Sequence, residues 1–382
     1  MLSGFYKQPE MGLGQKLLHI NWGLVLILSM IGAIGVAMLY SAGGGSFDPW
    51  ASRQLVRFGV GIVLMVGLAL VDIRIWLRYA YAIYLVALAM LVSVEFFGDI
   101  GMGARRWINL GFMNVQPSEV MKIAVIVVLA RYFHALPEEA IGKFRYLLWP
   151  MFMVLVPAGL VLRQPDLGTA IMLLMVATAM FFMAGVRLWK FGVLFGVVLA
   201  IVPVAWQVLK PYQKRRILTF LDPESDPLGA GYHILQSKIA LGSGGLFGKG
   251  FMQGSQAHLN FLPEKQTDFI FTMLAEEFGL TGGVVLLTLY GFVIVYGFFI
   301  SLHAQSQFGR LLAIGVTATF FLYVFINIAM VMGLVPVVGV PLPLISYGGT
   351  SMMTLLVGFG ILIGVNVHRD VIIGRSGQTD SL

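Results

Sequence analysis

KPYQKRRILTFLDPESDPLGAGYHILQSKIALGSGGLFGKGFMQGSQAHLNFLPEKQTDFIFTMLAEEFG, residues 210–279, is the one long stretch of this chain that is too polar to cross a membrane. It holds seven of the 25 basic residues. Near its end, Asp268 runs directly into the apolar sequence Phe-Ile-Phe-Thr-Met-Leu-Ala. A carboxylate at the edge of a hydrophobic segment is energetically costly, and it therefore marks a candidate functional site.

The composition is that of a membrane protein. Of the 382 residues, 58% are hydrophobic and 11% are charged, which excludes an ordinary soluble globular chain. Apolar runs of about 18–25 residues, long enough to cross ~30 Å of hydrocarbon, recur along the sequence. The predicted fold is all-α, a polytopic membrane protein with ten spans. These spans are residues 22–40, 54–72, 77–97, 117–134, 146–162, 168–186, 190–209, 267–300, 311–334 and 348–367.

We predict one integral membrane domain over residues 1–382. Within it, residues 210–266 form a long extracytoplasmic loop that carries short amphipathic helices. Residues 369–382 form a cytoplasmic tail, whose polar end GRSGQTDSL (374–382) we expect to be disordered. The first twenty residues show no small-residue cleavage site, so we expect a short tail before an uncleaved first span rather than a signal peptide.

Two short helices are predicted inside the long loop. Pro211 suits the first turn of a helix, and the sequence from Asp222 to Pro227 is rich in turn-forming residues. Further on, Tyr232, Leu235 and Ile239 share one face of a helical segment. We expect that face to lie at the membrane interface.

The basic residues of the short connections divide unevenly between the two sides of the membrane. One side, which includes both termini, carries twelve Lys and Arg residues, and the other carries five. Cytoplasmic loops carry the excess of positive charge, so both termini are predicted to be cytoplasmic. The long loop and the polar clusters near residues 101–111, 163–168 and 341–351 then lie outside. We expect the working face to be extracytoplasmic.

Asp268 is the main catalytic candidate, as a general base facing a substrate in the outer cavity. The alternative is a helix N-terminal carboxylate that answers the macrodipole, with Thr267 as the cap. Glu276 and Glu277 lie two turns further along the same helix. At least one of them is expected to be a hydrogen-bond partner between helices rather than a catalyst.

Glu119 and Lys122 stand at i,i+3 in the first turns of a predicted span. An opposed pair at this spacing can form a structural salt bridge. The alternative is that Lys122 binds an anionic head group.

Two outer clusters combine cations with other polar groups. Arg105 and Arg106 could bind phosphate, while Trp107 beside them could be only an interface anchor. In the sequence Arg163-Gln164-Pro165-Asp166, the alternative to a binding role is a local ion pair.

Lys238 and Lys249, together with the glycine-rich sequence GSGGLFGKG at 242–250, could cradle phosphate oxygens through backbone N–H groups. With no preceding strand, this is not a Walker motif. The six histidines show no metal-binding spacing and cysteine is absent, so no structural metal site is predicted. Several cations around an outward-facing amphiphilic cavity imply an anionic, lipid-anchored ligand.

Five separated motifs resemble the SEDS family of bacteria (shape, elongation, division and sporulation proteins), and most resemble its elongation branch. The motifs are DPESDPLGAGYHILQSKIALGSGGLFGKG (222–250), FLPEKQTDFIFTMLAEEFG (261–279), GARRWINLG (103–111) followed by QPSEVMK (116–122), RQPDLGT (163–169) and GVPLPLISYGGTS (339–351). They occur in the family's order, and the resemblance spans about residues 20–370.

The resemblance implies a ten-span peptidoglycan glycosyltransferase of the bacterial inner membrane. Such an enzyme polymerises lipid II for cell elongation and works with a class B penicillin-binding transpeptidase and other elongation-complex proteins; no nucleic-acid partner is expected. The essential aspartate of the family matches Asp268. The cavity residues match Trp107, Glu119, Lys122 and Asp166. With Arg105, Arg106, Gln164, Lys238, Lys249, Lys265 and Ser346, these residues are the substrate-binding candidates.

The chemistry agrees with this implication. A diphosphate leaving group needs cations, with a divalent Mg or Mn ion as a possible helper, and the attacking sugar hydroxyl needs a base. Displacement in one step would invert the anomeric centre and give a β-1,4 glycan. Two alternatives are a lipid II flippase, which would need a charged path through the whole membrane, and a non-catalytic scaffold for the transpeptidase, which would not need Asp268.

Overall fold

The computed structural model describes residues 12–101, 104–109, 111, 114–208, 211–222, 230–258 and 264–375. The helices are α1 Leu13–His19, α2 Trp22–Ala42, α3 Ala51–Ala69, α4 Ile73–Phe97, α5 Pro117–Ala135, α6 Glu138–Ile141, α7 Phe144–Arg163, α8 Leu167–Met183, α9 Leu188–Val208, α10 Pro211–Leu221, α11 Ala230–Ser243, α12 Ser255–His258, α13 Ile270–His303, α14 Gln307–Val331 and α15 Gly349–Val367. The strands are β1 Asp99–Gly101, β2 Ala104–Asn109 and β3 Asn114–Val115.

A helix occupies each of the ten predicted spans. Seven of them, namely α2, α3, α4, α7, α13, α14 and α15, are long and apolar enough to cross a membrane. α8 and the apolar part of α9 are shorter, and α5 places Glu119, Lys122 and Arg131 within 19 residues. The chain is therefore a multi-pass helical membrane protein, as predicted, and the number ten stays a prediction.

α5 and α14 form the centre of the bundle. α14 packs against α5, α8, α13 and α15, and almost every residue of α5 is buried. α3 and α4 lie at the perimeter, where side chains such as Val63 and Leu85 are exposed. The charged residues near the start of α5 therefore face protein rather than lipid, as ionisable groups in membranes almost always do.

α13 is two helical segments rather than the single predicted span 267–300. Gly279 interrupts it with φ 64° and ψ −160°, a backbone region that only glycine tolerates. The second segment, Leu280–His303, is about 36 Å long at 1.5 Å per residue and can cross the membrane alone. The first segment, which contains Glu276 and Glu277, is thus a separate helix between Asp268 and the span.

The region around residues 101–111, predicted only as an outer loop, contains a small antiparallel sheet in the order β1-β2-β3. Ile108 pairs with Val115 and Asn109 with Asn114. β3 leads into α5 through Gln116. The sheet therefore fixes the start of the helix that carries the central ion pair.

In the long loop, α10 begins at Pro211 as predicted, whereas the predicted turn after Asp222 lies outside the described residues. The predicted face of α11, with Tyr232, Leu235 and Ile239, is its less buried side, and the location of that face at the membrane interface stays a prediction. Ile234, Ser237 and Ala240 are the buried residues and face α13 and α14, while Ile239 is half exposed. The buried side includes a polar contact, in which the Ser237 hydroxyl bonds both Thr272 Oγ1 and the Val331 carbonyl, each at 2.8 Å.

The first residues of the predicted tail lie against the bundle, whereas residues 376–382, most of the segment expected to be disordered, lie outside the described residues. Val371 and Ile373 are buried, and a ring nitrogen of His134 bonds the Gly374 carbonyl at 3.2 Å. Residues 371–374 therefore pack back onto the bundle.

Candidate active site

Asp268 lies in a turn immediately before α13. The N-cap position of the helix is Phe269, and no side chain caps it. The Thr267 hydroxyl bonds Glu264, to the backbone carbonyl at 3.2 Å and to Oε2 at 3.0 Å. Thr267 is therefore not the cap of α13, whereas the alternative that the Asp268 carboxylate answers the helix dipole is not tested by these contacts.

The backbone around Asp268 is held from two sides. Asn327 Nδ2 donates to the Asp268 carbonyl at 2.9 Å and to the Val340 carbonyl at 2.7 Å. Ser346 Oγ donates to the Thr267 carbonyl at 2.6 Å and accepts from the Leu342 N–H. These contacts join the turn to the connection between α14 and α15. Ser346, predicted as a substrate-binding residue, acts here as a positioning residue.

The Asp268 carboxylate is half-buried and borders the same connection. A Cβ atom at Gly339 would lie 3.5 Å from Asp268 Oδ2. Gly339 has φ 74°, a conformation that favours glycine. The positive φ therefore accounts for the glycine, which lies next to the carboxylate.

Glu119 and Lys122 form the predicted salt bridge, with 2.7 Å between Lys122 Nζ and Glu119 Oε1. Both side chains are almost fully buried. Tyr323 of α14 completes the cluster, since its hydroxyl donates to Glu119 Oε2 at 2.5 Å and also contacts Lys122 Nζ. A buried pair with additional hydrogen bonds is the arrangement that offsets the cost of removing two charges from water.

α14 connects this cluster to Asp268. Tyr323 and Asn327 are four residues apart, so they lie on one face of α14 about 6 Å apart along its axis. Tyr323 holds the ion pair and Asn327 holds the backbone of Asp268. The two sites are therefore on neighbouring turns of the same central helix.

Asp166 caps α8 instead of pairing with Arg163. Its carboxylate accepts from the Thr169 N–H at 3.1 Å and from Thr169 Oγ1 at 2.9 Å. Gln116, in the residue before α5, donates to the same carboxylate at 3.1 Å. The local ion pair considered above is therefore not formed, and Asp166 joins α8 to the start of α5.

Arg106 is a backbone clamp. Its guanidinium donates to the Gln164 carbonyl at 3.1 Å and to the Pro165 carbonyl. The Gln164 side chain is buried and donates to the Leu91 carbonyl at 3.1 Å. Arg106 and Gln164 thus hold carbonyl groups of neighbouring segments, and the prediction that they also bind substrate is not tested.

Arg105 and Trp107 flank Arg106 on β2 but have different surroundings. Arg105 is exposed, with a long contact of 3.4 Å to the Glu95 carbonyl, and Trp107 is half-buried. Such a contact lies at the limit of hydrogen-bond length and leaves the guanidinium available to an anion.

The glycine-rich sequence does not form a phosphate cradle, because its backbone groups fill the break in α13. The N–H groups of Lys249 and Gly250 donate to the carbonyls of Glu276 and Glu277 at 3.0 and 2.9 Å. In return, the carbonyls of residues 245 and 246 accept from the N–H groups of residues 280 and 281 at 2.9 and 3.1 Å.

The side chains at the break are also paired. Lys249 Nζ lies 2.6 Å from Glu276 Oε1, which also accepts from Ser255 Oγ and the Gln256 N–H. Glu277 Oε1 accepts from Ser41 Oγ of α2 at 2.5 Å. This confirms the prediction of a hydrogen-bond partner between helices. Because the Lys249 ammonium group forms an ion pair with Glu276, it is not a free phosphate-binding group in this structure.

The remaining two lysines differ in environment. Lys238 is exposed and its Nζ lies close to Gly333, just past the end of α14, where a cation is favoured by the helix dipole. Lys265 is half-buried, and burial lowers the pKa of its ammonium group. Lys265 is three residues from Asp268 and the closest of the predicted cations to it in sequence.

Sequence reasoning did not find Tyr323, Asn327 and Gln116, which organise the two sites. The available signal was the presence of a phenol and an amide, four residues apart, in an otherwise apolar span. Polar groups in such a span are expected to face protein partners. Their partners come from distant parts of the chain, so the signal alone does not identify them.

Comparisons with known proteins agree with this architecture. Residues 15–371 match the family of cell cycle proteins FtsW, RodA and SpoVE. The chain is 42% identical over 355 residues to the peptidoglycan glycosyltransferase MrdB of Escherichia coli K12, which covers 93% of this chain and 95% of that protein. It is 37% identical to the stage V sporulation protein E of Bacillus subtilis, over 90% of this chain and 96% of that protein.

Two solved structures share the fold. A structure that describes the coordination of polymerization and crosslinking by a peptidoglycan synthase complex contains a chain with a TM-score of 0.80 and 32% identity, covering 92% of this chain and 98% of that one. The crystal structure of the rod shape determining protein RodA of Thermus thermophilus matches with a TM-score of 0.69 and 29% identity, over 92% and 97% of the two chains. The family match and these near full-length likenesses lead to one conclusion: this chain belongs to the FtsW, RodA and SpoVE family.

Proposed function

We propose that this protein is a peptidoglycan glycosyltransferase that joins lipid II disaccharide units into β-1,4 glycan strands and releases undecaprenyl diphosphate. The relatives named peptidoglycan glycosyltransferase support the reaction class. The single observation that assigns the reaction to a residue is the position of Asp268. This residue is half-buried beside Gly339, and Asn327 holds its backbone carbonyl.

The carboxylate supplies the base for the attacking group. The acceptor sugar hydroxyl gives its proton to Asp268, and its oxygen forms a bond to the anomeric carbon of the donor. The bond between that carbon and the diphosphate oxygen breaks, and the electron pair leaves with the diphosphate. Attack opposite to the leaving group inverts the centre from α to β.

The leaving diphosphate gains negative charge, which nearby cations stabilise. Arg105 and Lys238 are exposed, and Lys265 is close to Asp268 in sequence. Arg106, Lys122 and Lys249 are committed to carbonyl or carboxylate partners within the protein. Arg105 and Lys238 are therefore the better candidates for contact with the diphosphate, and Lys265 is a candidate because of its position in the chain near Asp268.

A divalent cation such as Mg or Mn remains part of the proposal, but the described residues limit how the protein could bind it. Among the described residues, no group of three or more His, Asp or Glu side chains could hold a metal ion. Mg ions in many enzymes use one or two carboxylates and take further oxygens from the substrate phosphates. A cation would then need the diphosphate as well as Asp268, and no step above is assigned to it.

The partner and the orientation are inferred from similarity and charge. One matched structure belongs to a peptidoglycan synthase complex that couples polymerization and crosslinking. We infer a class B penicillin-binding transpeptidase as the partner of this chain, for elongation and rod shape. The twelve-to-five distribution of basic residues supports cytoplasmic termini and an extracytoplasmic Asp268.

The test is Asp268→Asn in the full-length protein with its transpeptidase partner, given purified lipid II. Asn keeps the shape but cannot accept the proton, so the polymerisation rate should fall by ~10²–10⁴. Asp72→Asn is the matched control, because Asp72 caps α4 through the Arg74 N–H and Asn is an equally good cap. Glycan strands are measured by gel separation of labelled products.

Each alternative function predicts a different result. If the Asp268→Asn variant retained more than about a tenth of the wild-type rate, the catalytic assignment would be lost and the scaffold role would be favoured. If the wild-type protein made no glycan but moved lipid II across vesicle membranes, the flippase would be favoured.

A further inference from the structure

A cavity of about 260 Å³ lies where the ends of three helices meet. α2 begins just after Asn21, α13 ends at His303 and α15 ends at Val367. α13 starts beside Asp268, so its other end places this cavity at the opposite membrane face from the candidate active site. The cavity is therefore separate from the proposed catalytic chemistry.

Arg369 supplies a cation to this cavity from a fixed backbone. Its carbonyl accepts from the Gln305 N–H at 3.0 Å, and its own N–H donates to the Asn366 carbonyl. The guanidinium is about half exposed, and its ion pair with the neighbouring Asp370 has a length of 3.7 Å. Exposed pairs of that length are weak, so the fork of N–H donors remains available to an anion.

Two further polar groups line the cavity. Asn21 uses its side-chain oxygen to accept the Leu24 N–H, which leaves its amide NH₂ as a donor. His303 Nδ1 lies 2.8 Å from the Phe299 carbonyl, which can only accept, so Nδ1 carries the hydrogen and Nε2 remains for a ligand. Donors from α2 and α15 thus converge on the same space.

The opposite wall is apolar and continues onto the outside of the bundle. Tyr296, Phe299 and Ile300 share one face of the last turns of α13, and more than half of Phe299 is exposed. Beside them, Trp22 is half exposed and its indole N–H donates to the Leu17 carbonyl of α1. An exposed Trp at the start of a span is typical of the membrane–water interface.

A site with a forked cation on one wall and an exposed apolar face on the other fits a lipid head group better than a soluble anion. Its volume is below that of typical small-molecule sites, which suits a head group whose acyl chains stay in the bilayer. Basic residues predominate at this end of the bundle, which favours a net negative head group. We propose that this cavity binds the phosphodiester of an acidic phospholipid from the leaflet opposite to Asp268.

The test measures lipid retention by native mass spectrometry of the full-length protein in mixed micelles. Phosphatidylglycerol and phosphatidylethanolamine with identical acyl chains are the probes. The wild-type protein should retain one phosphatidylglycerol in preference to phosphatidylethanolamine. Arg369→Ala removes a charge-assisted contact and should weaken that binding roughly tenfold or more.

The matched control is Arg310→Ala. Arg310 is an exposed arginine that precedes Leu311 in α14, is predicted to lie on the same side of the membrane, and does not line the cavity. It should change the affinity by less than about twofold. Equal losses in the two variants would mean general surface attraction and would overturn the site. Equal retention of the two lipids by the wild-type protein would overturn the preference for a negative head group.

Two additional arms complete the test. Glycerol 3-phosphate at millimolar concentration should leave the bound phosphatidylglycerol in place, and displacement would identify a soluble phosphate ligand instead. Phosphatidylglycerol should also raise the thermal stability of the wild-type protein more than that of Arg369→Lys, because lysine keeps the charge but loses the bidentate fork. An identical stabilisation of both proteins would contradict the proposed contact.

Discussion

Two ion pairs near the candidate active site, one buried and one partly exposed, are built in different ways. Glu119 and Lys122 lie one turn apart on α5, and their bridge follows from the helix itself. Glu276 and Lys249 are 27 residues apart and meet only because a glycine-rich segment enters the break in α13. Both side chains of the first pair are almost fully buried, whereas the Lys249 side chain of the second pair is 30% exposed.

The two pairs therefore support the candidate active site in different ways. The α5 pair is fastened to α14 through Tyr323, and α14 in turn holds the backbone of Asp268 through Asn327. The Glu276 pair instead joins the first segment of α13 to the long loop. We therefore expect damage to the first pair to reduce global stability, and damage to the second to act locally.

The largest expected effect is at the α5 pair. Glu119→Ala leaves Lys122 charged in a buried place and should lower the free energy of unfolding by about 3–5 kcal/mol. The measurement is unfolding by increasing sodium dodecyl sulfate in mixed micelles. The double variant Glu119→Ala, Lys122→Ala should be no less stable than the poorer single variant. Additive losses would show that the two side chains act separately.

The next effect is at the break in α13. Gly279→Ala places a Cβ in a glycine-only conformation and against the backbone of Leu246, so we expect a loss of about 1–3 kcal/mol or more. Gly291→Ala is the matched control in the same helix, because no atom lies within 4 Å of its added Cβ. It should be neutral or stabilise by about 0.5–1 kcal/mol. Similar results for the two variants would argue against the break.

A smaller effect is expected at the second pair. Lys249→Ala leaves the buried Glu276 carboxylate with Ser255 Oγ and the Gln256 N–H as partners, and we expect water to enter the space that the 30% exposed Lys249 side chain vacates. The loss should be about 1–2 kcal/mol, below that of Glu119→Ala. Limited proteolysis should show faster cleavage in the long loop while the bundle stays folded. A global loss as large as that of Glu119→Ala would remove the distinction between the pairs.

The smallest effect concerns Lys265, the lysine close to Asp268 that belongs to neither pair. Burial lowers the pKa of Lys265, so this side chain loses its positive charge at a lower pH than an ordinary lysine, whose pKa is near 10.4. If the cation contacts the diphosphate, kcat/KM should fall as the pH rises through that lowered pKa. Lys265→Arg should shift this alkaline limb to higher pH, since arginine stays protonated. An unchanged profile would exclude the contact.

Much of this architecture could be predicted from local patterns. Hydrophobic length located the helices, and the i,i+3 spacing located the Glu119–Lys122 bridge. Pro211 marked the start of α10. In each case, the physical cause lies within a few residues of the position concerned.

The remainder depended on partners that are remote in sequence. The glycines of the GSGGLFGKG segment allow its backbone to approach another group closely. Nothing in the local sequence shows that this group is the break in α13 rather than a phosphate. Likewise, the face of α11 was predicted from apolar residues, while its buried side includes the Ser237 hydroxyl. Arg105 and Arg106 are adjacent and identical, and only their positions on β2 separate an exposed cation from a backbone clamp.

The insertion of the glycine-rich segment into α13 has a consequence for how the protein is assembled during synthesis. The break leaves the N–H groups of residues 280 and 281 and the carbonyls of Glu276 and Glu277 without partners inside the helix, and such groups need partners elsewhere when they are buried. Their partners, residues 245–250, lie earlier in the chain and so leave the ribosome first. The groups that close the break are thus already available when the span is synthesised, and the finished bundle need not reopen to admit them.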